Sequence, residues 1–451
     1  MTLRLFASLL LLLAVWIGLL VWSPAESEPL ADGREEVVFW HFWGGQDGEV
    51  VQRIVDRFNA RQDRYFVRAV AMPGNNLDLK LFASVTGGDP PDLINHDDPI
   101  VADWARRGAL TPLDELAPPE EIEQLQSWLF PAARKLGSYE NRLYALCNGL
   151  DVRALYYNQT MLQQYDLPPP ETLADLDRIA ETIAPPSLSG PRERYGYLPD
   201  SRRLWAWGVV FGGRFHDPQT GEITLDEPPI AEALQWMQGY SRRYGIRETL
   251  AFRAGDQSLP GKTFPLLAER YAVVMDGQWR VRDIAAFQQQ QREKGLPVTE
   301  YGVCPLPPPP GGRANAGWVN GNFFLVPRGA DQAAGAWEFM KFWSGFDGNE
   351  PQAARICGEG GWIPASEKVV REAAFQESLA QRPLMRKFID LAASPAQIPT
   401  PAIPGAPFYY QEVQNVSAAC LYREDAAVQE TLKRAAQRVR RRLQRLENSK
   451  P

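Results

Sequence analysis

Short apolar runs alternate with amphipathic segments along the chain from residue 36 onward. Residues 37–40 form the first apolar run, residues 41–48 are rich in turn formers, and the apolar side chains from Val50 to Phe58 recur at the spacing of one helical face. The same order returns over residues 66–85. Repetition of this unit predicts an α/β fold in which mainly parallel sheets are covered by helices on both faces.

A second block with the same alternation begins near Asp151. Thr172 and Asp175 have the spacing of a capping box, which predicts that a helix begins there. A Pro-rich segment at 305–312 then precedes a strand and a helix between residues 318 and 343. The chain therefore contains two blocks of the same architectural kind.

The last segment, residues 431–446, predicts an amphipathic helix. Its apolar side chains lie on one side, and seven lysine or arginine residues surround them. This pattern is more typical of a packed terminal helix with a solvated outer face than of a helix that lies on a membrane.

The N-terminus differs from the rest of the chain. Residues 5–22 carry no charge, and a polar, proline-containing stretch follows at 23–29. This pattern predicts a signal peptide or a membrane anchor within residues 1–30, so the protein is expected in the periplasm or elsewhere outside the cytoplasmic membrane, with anchoring left open. The first cysteine is Cys147, which disfavours a lipid-anchored lipoprotein.

Length, charge and cysteine content narrow the class of protein. The 451 residues predict two or three domains, and 55 acidic against 48 basic residues disfavour a nucleic-acid partner. The four cysteines are Cys147, Cys304, Cys357 and Cys420. In an oxidising compartment they allow two disulfides in any of three pairings, and four free thiols are the alternative. Their spacing contains no CxxC pattern, which disfavours zinc.

Motifs for nucleotide or metal chemistry are incomplete. The segment from Gly255 to Thr263 resembles a phosphate-binding loop, but five residues rather than four separate its glycines, and one of them is a proline. There are three histidines and no HExxH or GxSxG motif. The sequence therefore predicts no cofactor and no metal site.

Three aspartates leave an enzymatic alternative open. Asp97, Asp98 and Asp151 are candidates for the paired carboxylates of a glycoside hydrolase. Carboxylates also accept hydrogen bonds from sugar hydroxyls without carrying out chemistry, and this interpretation needs no tuned acid.

Seven segments along the chain share a pattern with one known family, in the same order: residues 39–43, 87–93, 108–113, 149–158, 272–279, 317–321 and 339–343. Together they resemble the extracellular solute-binding proteins of sugar ABC importers, the maltose-binding-protein-like group.

The resemblance implies a two-lobed periplasmic-binding-protein fold in which the chain crosses between lobes at hinges near 149–151, 297–302 and 343–351. The implied division assigns residues 36–149 and 302–345 to an N-lobe, and residues 150–301 and 346–448 to a C-lobe. The ligand is expected in the cleft between them, and permease transmembrane subunits are the expected partners of a monomeric protein.

The resemblance also implies candidate ligand-binding residues. Asp151 aligns with a ligand-contacting carboxylate and Trp279 with an aromatic platform, whereas Arg202 stands where relatives can offer an aromatic side chain. The full candidate set is Trp43, His96, Asp97, Asp98, Asp151, Arg202, Trp205, Trp279, Trp318, Asn320 and Tyr409. Indoles suit the apolar faces of a pyranose, and charged or amide groups suit its hydroxyls.

These features predict an exported binding protein that captures a carbohydrate between its lobes and delivers it to a permease. The alternative is an exported glycoside hydrolase or lyase that uses the cleft carboxylates. A binding protein that serves a sensor instead of a permease also fits the sequence.

Overall fold

The structure is a computed structural model that describes residues 33–72, 77–187, 192–259 and 263–448. The predicted leader, residues 1–30, lies outside these ranges. Within them, no helix combines the length and apolar character that a membrane span requires.

Ten strands are labelled here in chain order. They are β1 (Glu35–His41), β2 (Tyr65–Ala71), β3 (Leu93–Asp97), β4 (Ser138–Tyr139), β5 (Arg142–Leu143), β6 (Ala145–Asn158), β7 (Val273–Gly277), β8 (Tyr301–Cys304), β9 (Gly317–Leu325) and β10 (Gln397–Pro399).

The helices cover these strands and are labelled in the same way. They are α1 (Gly45–Arg61), α2 (Leu77–Gly87), α3 (Val101–Arg106), α4 (Pro119–Trp128), α5 (Pro131–Leu136), α6 (Gln159–Gln164), α7 (Leu173–Ile183), α8 (Leu204–Val210), α9 (Pro228–Tyr244), α10 (Ile246–Asp256), α11 (Arg280–Glu293), α12 (Ala333–Ser344), α13 (Glu350–Gly360), α14 (Glu367–Arg371), α15 (Ala373–Gln381), α16 (Leu384–Ala392), α17 (Ala406–Tyr422) and α18 (Val428–Asn448).

Most strands form one long sheet in the order β2-β1-β3-β9-β6-β7, with β10 beside β9 and β8 beside β6. Strand β6 joins the two halves of this sheet. Its residues 145–152 pair with β9, and its residues 153–158 pair with β7 and β8. Residues near the middle of β6 therefore lie where the two halves meet.

The predicted α/β class is confirmed, but the strand directions differ from the expectation of mainly parallel sheets. Strand β1 pairs in parallel with β2 and β3. Strand β9 is antiparallel to β3 and β6, and β6 is antiparallel to β7 and β8. The difference arises because β9 and β6 run in opposite directions at the centre of the sheet, and of the described strands beside them only β10 is parallel to its neighbour β9.

The described residues form two large hydrophobic cores. The first surrounds β1 and β3 and includes Phe39, Phe324 and Trp343. The second contains Trp205 and the apolar face of α18. The predicted packed terminal helix is therefore confirmed for the apolar side of α18. The predicted capping box is also present at the start of α7.

All four cysteines lie in the described part of the chain, and each is a free thiol. Of the alternatives that the sequence left open, the structure thus has free thiols. Burial raises the pKa of Cys357 to about 12, so this thiol remains protonated and unreactive near neutral pH.

Candidate functional site

The junction of β3, β6 and β9 brings together polar side chains that are distant in sequence. Asp97 is paired with Asn322 across β3 and β9, and Asp151 is paired with Asn320 across β6 and β9. Because side chains two residues apart on a strand point to the same face, Asn320 and Asn322 share a face with the two aspartates that they oppose.

Hydrogen bonds from β9 hold the two aspartates that follow β3. Asn322 Nδ2 donates to Asp97 Oδ1 at 2.7 Å, and the Gly321 backbone N–H donates to Asp98 Oδ1 at 3.0 Å. Asp97 is exposed, whereas Asp98 is buried. Burial raises the pKa of Asp98 to about 7, although hydrogen bonds from Gly321 and Thr400 act in the opposite direction.

Asp151 is tied to the segment after β7 by a buried glutamine. Gln278 Nε2 donates to Asp151 Oδ1 at 2.6 Å and to the Leu150 carbonyl at 3.0 Å, and its Oε1 accepts from Val152 N–H. Burial raises the pKa of Asp151 to about 6, while the charge of Arg153 and the Gln278 hydrogen bond oppose this shift. Gln278 therefore fixes where the Asp151 carboxylate lies.

Arg153 lies between two indoles. Its guanidinium carbon is 4.8 Å from the ring centroid of Trp279 and 5.0 Å from that of Trp318. The side chain is only 5% exposed, and its Nε and Nη1 have no hydrogen-bond acceptor among the described residues. Burial lowers the pKa of this guanidinium, and the charge of Asp151 opposes that shift. Arg153 thus offers an unsatisfied donor group beside the carboxylates.

A glycine makes room for Trp279. Gly277 is paired with Arg153 across β6 and β7, and a Cβ at this position would overlap ring atoms of Trp279. The indole therefore lies over the glycine backbone, next to Arg153. This explains the Gly-x-Trp spacing at 277–279 in physical terms.

Several predicted residues come together in this way. Asp97, Asp98, Asp151, Asn320 and Trp279 lie at the junction. Trp318 also lies there, but it is buried, and its Nε1 donates to Thr400 Oγ1 at 3.0 Å. His96 is half-buried at the edge of this group, and its ring is 5.5 Å from Trp104.

Three predicted aromatic contacts are core side chains instead. Trp43 stacks on Trp343 at a centroid distance of 5.8 Å. Trp205 stacks on Phe215 at 4.5 Å and is 2% exposed. Tyr409 is 0% exposed, and its hydroxyl donates to the Phe215 carbonyl at 2.6 Å. As placed, these rings offer no face to a ligand, because packing inside the cores covers them.

Arg202 is exposed, and its Nη2 pairs with Asp200 Oδ2 at 2.6 Å. It lies on the wall of a neighbouring cavity that also reaches Asp276, two residues before Gln278. The residue is therefore beside the junction and not within it.

Sequence reasoning missed four residues at the junction: Arg153, Gln278, Asn322 and Tyr410. Arg153 lies two residues after Asp151 on one strand, a spacing that puts both side chains on the same face. Tyr410 follows Tyr409 but is half-buried, and its ring is 5.6 Å from that of Trp318. Alternation along β6 could have identified Arg153, whereas no local pattern distinguishes Tyr410 from Tyr409.

Comparison with known proteins agrees with this architecture. The family described as bacterial extracellular solute-binding protein matches residues 53–383. The maltotriose-binding protein of Pyrococcus abyssi (strain GE5 / Orsay) is 23% identical over 353 residues, which cover 75% of this chain and 68% of that protein.

Solved structures of sugar-binding proteins share the fold. The structure of CpMnBP1 with mannotriose bound has a TM-score of 0.76 and 23% identity, and the match covers 90% of this chain and 100% of that chain. The sugar-binding protein MalE from the phytopathogen Xanthomonas citri has a TM-score of 0.71 and 19% identity, with 91% and 98% covered. The two-lobed periplasmic-binding-protein fold is thereby confirmed.

Proposed function

Because the chain belongs to the family of bacterial extracellular solute-binding proteins, we propose that it captures a carbohydrate and delivers it to the permease of an ABC importer. Family membership implies a location outside the cytoplasm. The role of residues 1–30 as a signal peptide or a membrane anchor, and the monomeric state, are part of the proposal.

The observation that supports a carbohydrate as the ligand is that hydrogen-bond acceptors and donors lie side by side at the junction. Asp97 and Asp151 offer carboxylate acceptors, and Arg153 offers N–H donors without an acceptor among the described residues. A sugar hydroxyl both donates and accepts, so a row of hydroxyls can satisfy both kinds of group at once. The maltotriose-binding relative and the mannotriose-bound structure support an oligosaccharide.

We further propose that the two blocks of the chain close on the ligand as lobes, with the N-lobe at 36–149 and 302–345 and the C-lobe at 150–301 and 346–448. Closure requires a ligand that contacts both lobes more favourably in the closed state. In this division Asp97 and Asp98 belong to the N-lobe, and Asp151 and Trp279 belong to the C-lobe.

The protein is proposed to bind its sugar without cleaving it. Its family and its structural neighbours are binding proteins, and Asp97 and Asp151 each accept a hydrogen bond from an amide side chain. Incubation with oligosaccharides, followed by measurement of new reducing ends, tests this directly. Release of reducing ends that stops in Asp151→Asn would favour the hydrolase instead.

A thermal-shift screen with mono- and oligosaccharides tests the proposed function. A binding sugar should raise the melting temperature and, at saturation, lower the radius of gyration measured by X-ray scattering. A broad carbohydrate panel that leaves both quantities unchanged would contradict the proposal.

A further inference from the structure

A cavity of about 560 Å3 lies between the loop that precedes α8, the end of α10, and the segment that joins β7 to α11. Its volume lies within the range of about 300–1,000 Å3 that is typical of small-molecule sites. Charged side chains dominate its wall: Asp200, Arg202, Arg203, Arg253, Asp256, Asp276 and Arg280. Tyr197, Tyr271, Tyr422 and Phe264 supply flat rings to the same wall.

The described wall carries an excess of one positive charge, since four arginines face three aspartates. Although burial alone would raise it, the charges of Arg203 and Arg280 hold the pKa of Asp276 below its ordinary value. Burial alone would also raise the pKa of Asp200, but nearby arginines hold it below its ordinary value, and Arg253 has the largest effect among them. Both carboxylates are therefore ionised near neutral pH, which limits the excess of positive charge on the described wall to one.

One wall arginine, Arg203, retains a donor that no described residue accepts, whereas Arg280 also pairs with Asp283 and Arg253 donates to backbone carbonyls. Arg203 Nη2 pairs with Asp276 at 3.1 Å, and Arg280 Nε pairs with the same carboxylate at 2.9 Å. A guanidinium has five N–H groups. Arg203 Nε is buried and has no acceptor among the described residues. A ligand with acceptor oxygens would satisfy donors that this part of the protein leaves unused.

The cavity lies next to the junction site, because Asp276 on its wall is adjacent in sequence to residues of that site. Asp276 precedes Gly277, the residue paired with Arg153. Burial lowers the pKa of Arg153, and Arg203 lies close enough for its charge to lower that pKa further. The charges of both arginines also oppose the rise in the pKa of Tyr410 that burial causes. Asp276 is the carboxylate that both guanidinium groups share, yet each keeps a buried N–H without an acceptor among the described residues, which a further acceptor oxygen would satisfy.

We propose that this cavity is a subsite of the carbohydrate site and that it binds the carboxylate of a hexuronate residue, so that the ligand is an acidic oligosaccharide. The inference rests on the proposed function. A carboxylate carries one negative charge, which equals the excess of the described wall, and its two oxygens match the planar fork of a guanidinium. The hydroxyls of the same ligand remain for Asp97 and Asp151.

Matched pairs of trisaccharides test the inference on the whole protein: trimannuronate with mannotriose, trigalacturonate with galactotriose, and cellotriouronate with cellotriose. Titration calorimetry should show at least one uronate bound about tenfold or more tighter than its neutral counterpart. This advantage should shrink between about 20 mM and about 500 mM sodium chloride, because salt screens the guanidinium–carboxylate attraction.

The outcomes separate the inference from the function on which it rests. Neutral trisaccharides that bind as tightly as the uronates would overturn the acidic subsite and leave carbohydrate capture intact. Absence of binding by both members of every pair would count against carbohydrate capture and the subsite together. Preference for sulfated over uronate sugars would overturn the assignment of a carboxylate.

Arg202 provides a variant that the fold tolerates, because most of its side chain is exposed. Arg202→Gln should lower the ratio of uronate to neutral affinity by about three- to tenfold, since one charge-assisted contact is lost. Arg371→Gln is the matched control, because Arg371 is also exposed and paired with a carboxylate, Glu367, at 2.6 Å. An unchanged ratio in Arg202→Gln, together with an unchanged salt dependence, would contradict the subsite.

Discussion

The guanidinium carbon of Arg153 lies 4.8 Å from the ring centroid of Trp279, and the two side chains come from adjacent antiparallel strands and the turn that follows. The indole therefore holds an arginine, in addition to its proposed role as a surface for the ligand. Cation–π contact of this kind is worth about 0.5–2 kcal/mol, depending on desolvation. Substitution of either side chain should consequently change the position of the other.

Trp279→Ala should weaken sugar binding by at least about tenfold, or about 1.4 kcal/mol, because both the stacking surface and the support for Arg153 are lost. Trp279 is only half-buried, so the melting temperature without ligand should change little. Calorimetry and thermal unfolding measure the two quantities. Trp236→Ala is the control, since Trp236 is half-buried among Trp207, Phe211 and Tyr197. A large loss of stability in Trp279→Ala with unchanged affinity would assign Trp279 to the core.

Gly277→Ala should weaken binding by a similar factor, because the added methyl group displaces the ring of Trp279. Gly239→Ala is the matched control, since a Cβ at this position in α9 meets nothing within 4 Å, and alanine favours helix. The control should keep its affinity and gain slight stability. Equal affinities for the two variants would contradict the packing of Trp279 over Gly277.

Arg153→Met should lower sugar affinity by at least about tenfold while leaving the melting temperature without ligand unchanged or higher. The substitution removes charge-assisted donors to the sugar, but it also removes buried N–H groups that lack an acceptor among the described residues. Arg371→Met, at an exposed position, controls for loss of one charge. A large fall in stability without a change in affinity would show that Arg153 is structural.

Stability without ligand should depend on pH through Asp98. Burial raises the pKa of Asp98 to about 7, compared with about 3.9 in an unfolded chain. The folded state therefore binds this proton more tightly than the unfolded chain does. The stabilisation that Asp98 adds to the folded state is full below about pH 4 and is lost as pH rises through about 7.

Asp98→Asn should thus reduce the fall in melting temperature between about pH 5 and about pH 8 by about 2 °C or more. Comparison with wild type is necessary because burial lowers the pKa of His41 to about 4, which acts in the opposite direction. Asp89→Asn, at an exposed position, is the control. Parallel pH profiles for wild type and Asp98→Asn would rule out this role for Asp98.

Local sequence patterns were sufficient for the elements and for part of the site. Hydrophobic periodicity predicted β1, α1 and the apolar side of α18, because burial of one face depends on residue type at regular spacing. Asp97 was identified from its position after a predicted strand, and Asp151 and Trp279 were identified from the family resemblance; the junction does bring the three residues close to one another. Their roles in ligand binding remain proposals.

The orientation of neighbouring aromatic residues could not be predicted. Tyr409 and Tyr410 are adjacent in α17, and one residue along a helix turns the side chain by about 100°. That rotation buries Tyr409, whose hydroxyl donates to the Phe215 carbonyl, and leaves Tyr410 half-buried next to Trp318. Trp205 and Trp279 both lie beside glycine or polar residues in the sequence. Trp205, however, belongs to helix α8, which packs into the second core.

The amino-acid sequence by itself determined the α/β class, the family and the residue types that suit a sugar, because these depend on local spacing and on motifs read along the chain. Only the tertiary structure decided which side chains meet. Arg153 acquires its importance from Trp279 and Trp318, which are more than a hundred residues away in the chain. Contacts at that separation depend on the pairing of β6 with β7 and β9, and no local pattern specifies that pairing.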